Sequence, residues 1–273
     1  MTAVNAAITR AFDLFFAALA WGGPWSGMVG LAAVTAVVAL LIFRWTSNQR
    51  RIRTVKDRII SHLLEVVLYR DELRVVLQAQ AAIFRDNLRY FASALVPLAF
   101  MILPMAVLLI QADLRYGHRP LRVGERAIVA AKLRPGTAAP DQLAISAPSG
   151  IAVETPPLRI PALGEVDWRI RGLQPGAWNL RFSQGETTFT KQVLVGARAG
   201  RVSTTRVSES AWSQLLHPGE RPLPSRGPAA LVKVSYPGAE LHLWKWRLHW
   251  VWPWLILSLV FGYLLKGPLR VEV

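Results

Sequence analysis

The chain has 273 residues, 52% of them hydrophobic and only 18% charged, against ~25% charged in soluble domains, and it contains no cysteine. That apolar content excludes intrinsic disorder, and the missing cysteines exclude a disulfide scaffold, a thiolate nucleophile and a Cys-ligated metal. The 32 Lys and Arg against 17 Asp and Glu leave a net charge of +15, which suggests an anionic partner, lipid headgroups or nucleic acid.

Residues 1–23 read as an amphipathic interfacial helix with Phe12, Leu14, Phe15, Phe16 and Leu19 toward lipid. A secretory signal is not expected, because Arg10 stands alone before Asp13 and no basic n-region precedes the apolar run. Residues 24–43 (PWSGMVGLAAVTAVVALLIF) carry no charge until Arg44, and about 20 such residues in helix cross a ~30 Å hydrocarbon core. Residues 44–90 hold ten Lys and Arg against five acids, and no Gly or Pro occurs from Leu31 to Val96. This predicts a basic cytoplasmic helical hairpin turning near Tyr69 to Glu72, with Asp71 capping the second arm. Ile52, Val55, Ile59, Leu63 and Val66 mark one arm at helical spacing, and Leu73, Val76, Leu77, Ile83, Phe84 and Leu88 the other; the two stripes are expected to pack on one another. Arg50, Arg51, Arg53, Lys56 and Arg58 are placed to contact lipid phosphates or a ribosome. A second span follows at 91–112, kinked at Pro97 and Pro104.

From residue 116 to 240 the composition changes, and 13 of the 18 prolines lie between positions 120 and 237. Alternating runs at 127–133, 142–146, 165–171, 177–182 and 187–195 predict strands, with a last strand at 231–236. Their spacing of about ten residues predicts an immunoglobulin-like β-sandwich with Trp168 and Trp178 in its core. A short helix near 208–217 and a proline-rich linker at 218–228 complete this part. The third span is expected at 248–265. Tryptophan favours the headgroup level, and Trp21, Trp25, Trp45, Trp244, Trp246, Trp250, Trp252 and Trp254 flank or enter the first and third spans as interfacial anchors. The expected class is thus an α+β membrane protein: three transmembrane helices, a cytoplasmic hairpin and an extracytoplasmic sandwich. A loop near 130 residues translocates largely regardless of charge, so the N-terminus and sandwich are placed in the periplasm of a bacterial inner membrane and the C-terminus in the cytoplasm.

No constellation for chemistry emerges. The five histidines (His62, His118, His217, His242 and His249) are scattered, and HExxH, glycine-rich phosphate and GxSxG motifs are missing, so neither a metal, a cofactor nor a catalytic residue is expected. The hairpin has few aromatics on which bases could stack, so no specific DNA partner is expected.

The order of elements, carried by Arg44 through Tyr116 (SNQRRIRTVKDRIISHLLEVVLYRDELRVVLQAQ, then NLRYFASALVPLAFMILPMAVLLIQADLRYG), resembles the YidC/Oxa insertase superfamily. The resemblance implies a polar groove between the spans, for which Thr35, Arg44, Ser93, Gln111 and Ser258 are the candidates, and a hairpin that receives a ribosome or nascent chain. It departs from bacterial YidC in placing the sandwich between the second and third spans. The function expected is non-enzymatic assistance to insertion or assembly of membrane proteins. The alternative is a structural or accessory subunit of a membrane complex, docking partners through its sandwich and helices.

Overall fold

The computed structural model describes residues 2–47, 49–69, 72–134, 142–196, 200–208, 210–225, 227–243, 246–269 and 271. Asp71 and Trp244 lie outside the described residues, as do the side chains of Arg50, Arg51, Ile52, Arg53, Val55, Lys56 and Ser93. The helices are α1 (Thr2–Ala18), α2 (Gly23–Thr46), α3 (Gln49–Leu68), α4 (Leu73–Tyr116), α5 (Ala211–Leu216) and α6 (Val251–Lys266). The strands are β1 (Arg126–Leu133), β2 (Ala144–Ser146), β3 (Ile151–Val153), β4 (Leu158–Ile160), β5 (Glu165–Gly172), β6 (Gly176–Gln184), β7 (Thr187–Val195), β8 (Thr205–Val207), β9 (Ala229–Val234), β10 (Leu241–Leu243) and β11 (Trp246–Leu248). They divide into two units, one of residues 1–24 with 109–252 and one of residues 25–108 with 253–273.

The second unit is helical. The helical stretch Ala20–Thr46, which includes α2, and α4 are each long and apolar enough to cross a membrane. On α2 the buried Met28, Leu31, Ala32, Thr35, Ala36 and Leu40 recur at three- and four-residue spacing, so one stripe is covered and the rest of the surface is left for other apolar surroundings. The expected hairpin arm and second span are one continuous helix of 44 residues, about 66 Å long, that keeps both Pro97 and Pro104. α3 and α4 meet where His62 Nε2 lies 3.8 Å from the Asp86 carboxylate, which also accepts from Arg89 at 3.0 Å. The expected mutual burial of the two arms is only partial. Leu63, Leu73, Leu77, Phe84 and Leu88 are each more than half exposed, because each arm carries apolar residues around more of its circumference than one neighbour can cover. α6 has 16 residues, about 24 Å, against the 248–265 expected for a third span.

The first unit is built on antiparallel sheets. One runs β3-β5-β1-β9-β8 with β4 also on β5, the other β2-β6-β7, and a two-stranded ribbon joins β10 to β11. The alternation of β5 and β7 puts Val166, Trp168, Ile170, Phe189 and Val193 inward, where they meet Leu180 and Phe182 in one buried core. Trp168 and Phe182 pack edge-on at 5.7 Å, and Phe182 stacks on Phe189 at 5.1 Å. Trp178 is only half-buried, set over Gly150, where a Cβ would fall 2.0 Å from its ring. The β6–β7 hairpin closes at Gln184 and Thr187 through Gly185, whose φ of 55° suits glycine.

The lead into β1 is fixed by a bidentate pair. Arg119 donates to both Glu125 carboxylate oxygens at 2.8 Å, and the Arg122 amide donates to one of them at 2.8 Å. The guanidinium holds the Glu125 carboxyl down to about 2. A depressed carboxyl contributes stability that is complete above its usual value near 4.5 and lost as pH falls through about 2. Unfolding midpoints of wild type and Arg119→Gln should therefore differ by a constant amount above about pH 5 and converge toward pH 2. A gap as large at pH 2 as at pH 5 contradicts this.

Candidate functional site

The polar side chains that sequence reasoning left unassigned gather around α1. Asn5, Thr9 and Asp13 stand four residues apart and so share one face of the helix. Asn5 Nδ2 donates to the Gln214 carbonyl at 2.8 Å, Thr9 Oγ1 accepts from Gln111 Nε2 at 3.1 Å, and Asp13 accepts from Arg115 at 2.5 Å and Arg201 at 3.2 Å. Arg115 also donates to the Gln111 side-chain and main-chain oxygens at 3.0 and 2.9 Å. Its guanidinium carbon lies 4.8 Å from the Phe16 ring centroid and 5.9 Å from that of Phe12, a cation–π arrangement that shields the charge. Phe16 packs edge-on against Tyr116 at 5.8 Å, and the Tyr116 hydroxyl donates to the Pro24 carbonyl at 3.0 Å.

The expectation for α1 is therefore corrected. Phe12 and Phe16 turn onto Arg115 and Tyr116, and of the five side chains expected to face lipid only Leu14 is exposed. The exposed face instead carries Val4, Ala7, Ala11, Leu14 and Ala18, followed by Trp21, spaced alternately three and four apart.

A second polar cluster lies in the sheet domain. Lys191 on β7 is fully buried, and its Nζ donates to the Glu220 carboxylate and to the Ser203 carbonyl, the latter at 2.7 Å. Burial pushes the ammonium's pKa down, and Glu220 opposes that shift. Arg206 on β8 donates to the Arg221 carbonyl at 2.7 Å, the Pro222 carbonyl at 3.2 Å and Thr190 Oγ1 at 3.1 Å, clamping the proline-rich segment onto β7. Between α1 and this segment lies an open cleft of about 930 Å³, with Arg10, Arg201, Arg206 and Arg221 on its walls beside Asp13 and Glu220.

The groove candidates are distributed differently. Gln111 is buried and takes its partners Thr9 and Arg115 in the first unit. In the second unit, Thr35 Oγ1 donates to the Leu31 carbonyl at 2.8 Å and accepts from Trp254 Nε1 at 3.2 Å. Arg44 donates to the Leu269 carbonyl at 3.2 Å, and Ser258 returns its hydroxyl to the Leu255 carbonyl of its own helix at 2.9 Å. Of the anchors, Trp21, Trp45 and Trp252 are exposed and Trp25 is half-buried. Trp246 belongs to β11, Trp250 is buried, and Trp254 is tied to Thr35, so a run that reads as one aromatic belt is divided among a ribbon, a core position and a helix contact. Arg58 is exposed. Among the described residues no group of three His, Asp or Glu side chains could hold a metal. Comparison of the chain with protein families, characterised proteins and solved structures finds no match to any of them.

Glu220→Gln leaves the buried Lys191 ammonium without a counter-charge and should cost roughly 3–5 kcal/mol, whereas Lys191→Met with Glu220→Leu should fall close to wild type. Chemical unfolding of the full chain in detergent checks both, and a Glu220→Gln protein as stable as wild type contradicts this account of the pair.

Proposed function

We propose that the chain is a non-enzymatic integral membrane protein that serves the assembly of a larger membrane complex as an accessory subunit. The observation that carries this reading is the surface of the α3–α4 pair. Leu63, Leu64, Val67 and Leu68 on α3 and Leu73, Leu77, Phe84 and Leu88 on α4 are all more than half exposed. An apolar surface of that extent marks a protein or membrane contact. In the proposed topology α2, α4 and α6 span a bacterial inner membrane, the α3–α4 projection is cytoplasmic, and an immunoglobulin-like sandwich stands in the periplasm. The projection then lies beyond the hydrocarbon, and a partner protein covers its apolar face.

The insertase likeness is kept as ancestry rather than activity in this reading. A polar groove needs side chains free to meet a client, and Thr35, Arg44, Gln111 and Ser258 each have an internal partner.

A photo-crosslinking amino acid at Leu77 or Phe84, activated in native membranes, tests the proposal. The expected result is one or a few discrete protein adducts, with none from the same probe at exposed Leu173 of the sheet domain. Adducts to ribosomal proteins and a spread of nascent chains, or to lipid alone, would overturn it.

A further inference from the structure

The arginine-lined cleft has an excess of positive charge that its own acids do not neutralise. Asp13 is shared with Arg115, which it holds at 2.5 Å against 3.2 Å for Arg201, and Glu220 is paired to the buried Lys191. Each carboxylate on the walls is thus engaged by a cation outside the cleft, and Asp13 divides its charge between that cation and the lining Arg201. Arg206 has main-chain carbonyls as its principal hydrogen-bond partners and shares the nearby Glu220 charge with Lys191. Arg10 on α1 and Arg221 on the facing segment are exposed, and neither has a carboxylate partner among the described residues. With Arg115 and Lys191 counted beside the four lining arginines, six cations face the two anions Asp13 and Glu220, and Asn179 and Gln192 add amides on the β6–β7 side.

We propose that this cleft binds a phosphate-bearing anion, either the headgroup of an anionic phospholipid or a soluble phosphate ester. Guanidinium forks match phosphate oxygens two at a time, and a phosphate group can be reached by several arginines at once. The volume of about 930 Å³ exceeds what a phosphate alone requires and leaves room for the glycerol or other alcohol it is esterified to. One wall is α1, whose chain runs on through Trp21 into α2, so a lipid is a ready source of the ligand. The site differs from the Arg50–Arg58 run in residues and in unit, and it stands whether or not the chain is a complex subunit.

The test uses the full chain in neutral detergent, titrated calorimetrically with inorganic phosphate and with glycerol 3-phosphate. Native mass spectrometry in parallel compares retained phosphatidylglycerol with phosphatidylcholine. Arg10→Gln and Arg221→Gln should each weaken phosphate binding by about tenfold, the pair by more, while Arg159→Gln, on β4 and not among the residues lining the cleft, leaves it unchanged. Selective retention of phosphatidylglycerol, lost in the double variant, identifies the headgroup as the source; binding of glycerol 3-phosphate with no lipid preference identifies a soluble ester. Absence of phosphate binding, binding unaltered in a folded double variant, or binding of a polyglutamate peptide in place of phosphate would each overturn the proposal.

Discussion

Asp13 accepts hydrogen bonds from two guanidiniums, and the arrangement of the first unit follows from that pairing. Arg115, at the end of α4, has only 8% of its side chain exposed, and a cation so enclosed is tolerable only with a carboxylate and further acceptors at hand. Asp13 and Gln111 supply them, and the rings of Phe12 and Phe16 close the remaining sides. Arg201 binds the second carboxylate oxygen, so the same residue joins α1 to the segment leading into β8. A helix whose intrinsic residues are mostly small and apolar is thereby given one orientation.

That orientation turns α1 inside out by the standard of a water-soluble helix. Asn5, Thr9 and Asp13 face protein, and Val4, Ala7, Ala11, Leu14 and Ala18 face outward. In water such a choice costs the apolar burial that drives helix docking, whereas beside lipid the outward face costs nothing and polar contacts carry the specificity. The exposed apolar side chains of α3 and α4 raise the same requirement in the second unit, and a partner protein meets it in the proposed reading.

The long strands were legible because their period is two. β1, β5, β6 and β7 alternate over eight or nine residues, and Thr187–Val195 agrees with the expected range at both ends. β3, β4, β8, β10 and β11 have three residues each, too few to display a period, and they form because a neighbouring strand offers its edge. The tryptophans from 246 to 254 read as one aromatic cluster in composition, and the structure divides them between β11, a buried position and α6. Gln111 could be singled out as a polar residue in an apolar run, yet Thr9, 102 positions away, could not be named as its partner. The polar stripe of α1 was present in the spacing of Asn5, Thr9 and Asp13, and the more numerous apolar residues between them concealed it.

The central claim is that this chain is a fixed component of a membrane assembly rather than a passing chaperone. Extraction from its own membrane in mild detergent, followed by native mass spectrometry of the intact particle, tests that most directly. The account predicts one complex containing the chain at a constant ratio to defined membrane partners. Recovery with ribosomes or translocation components at variable ratio, or as a free monomer, would contradict it.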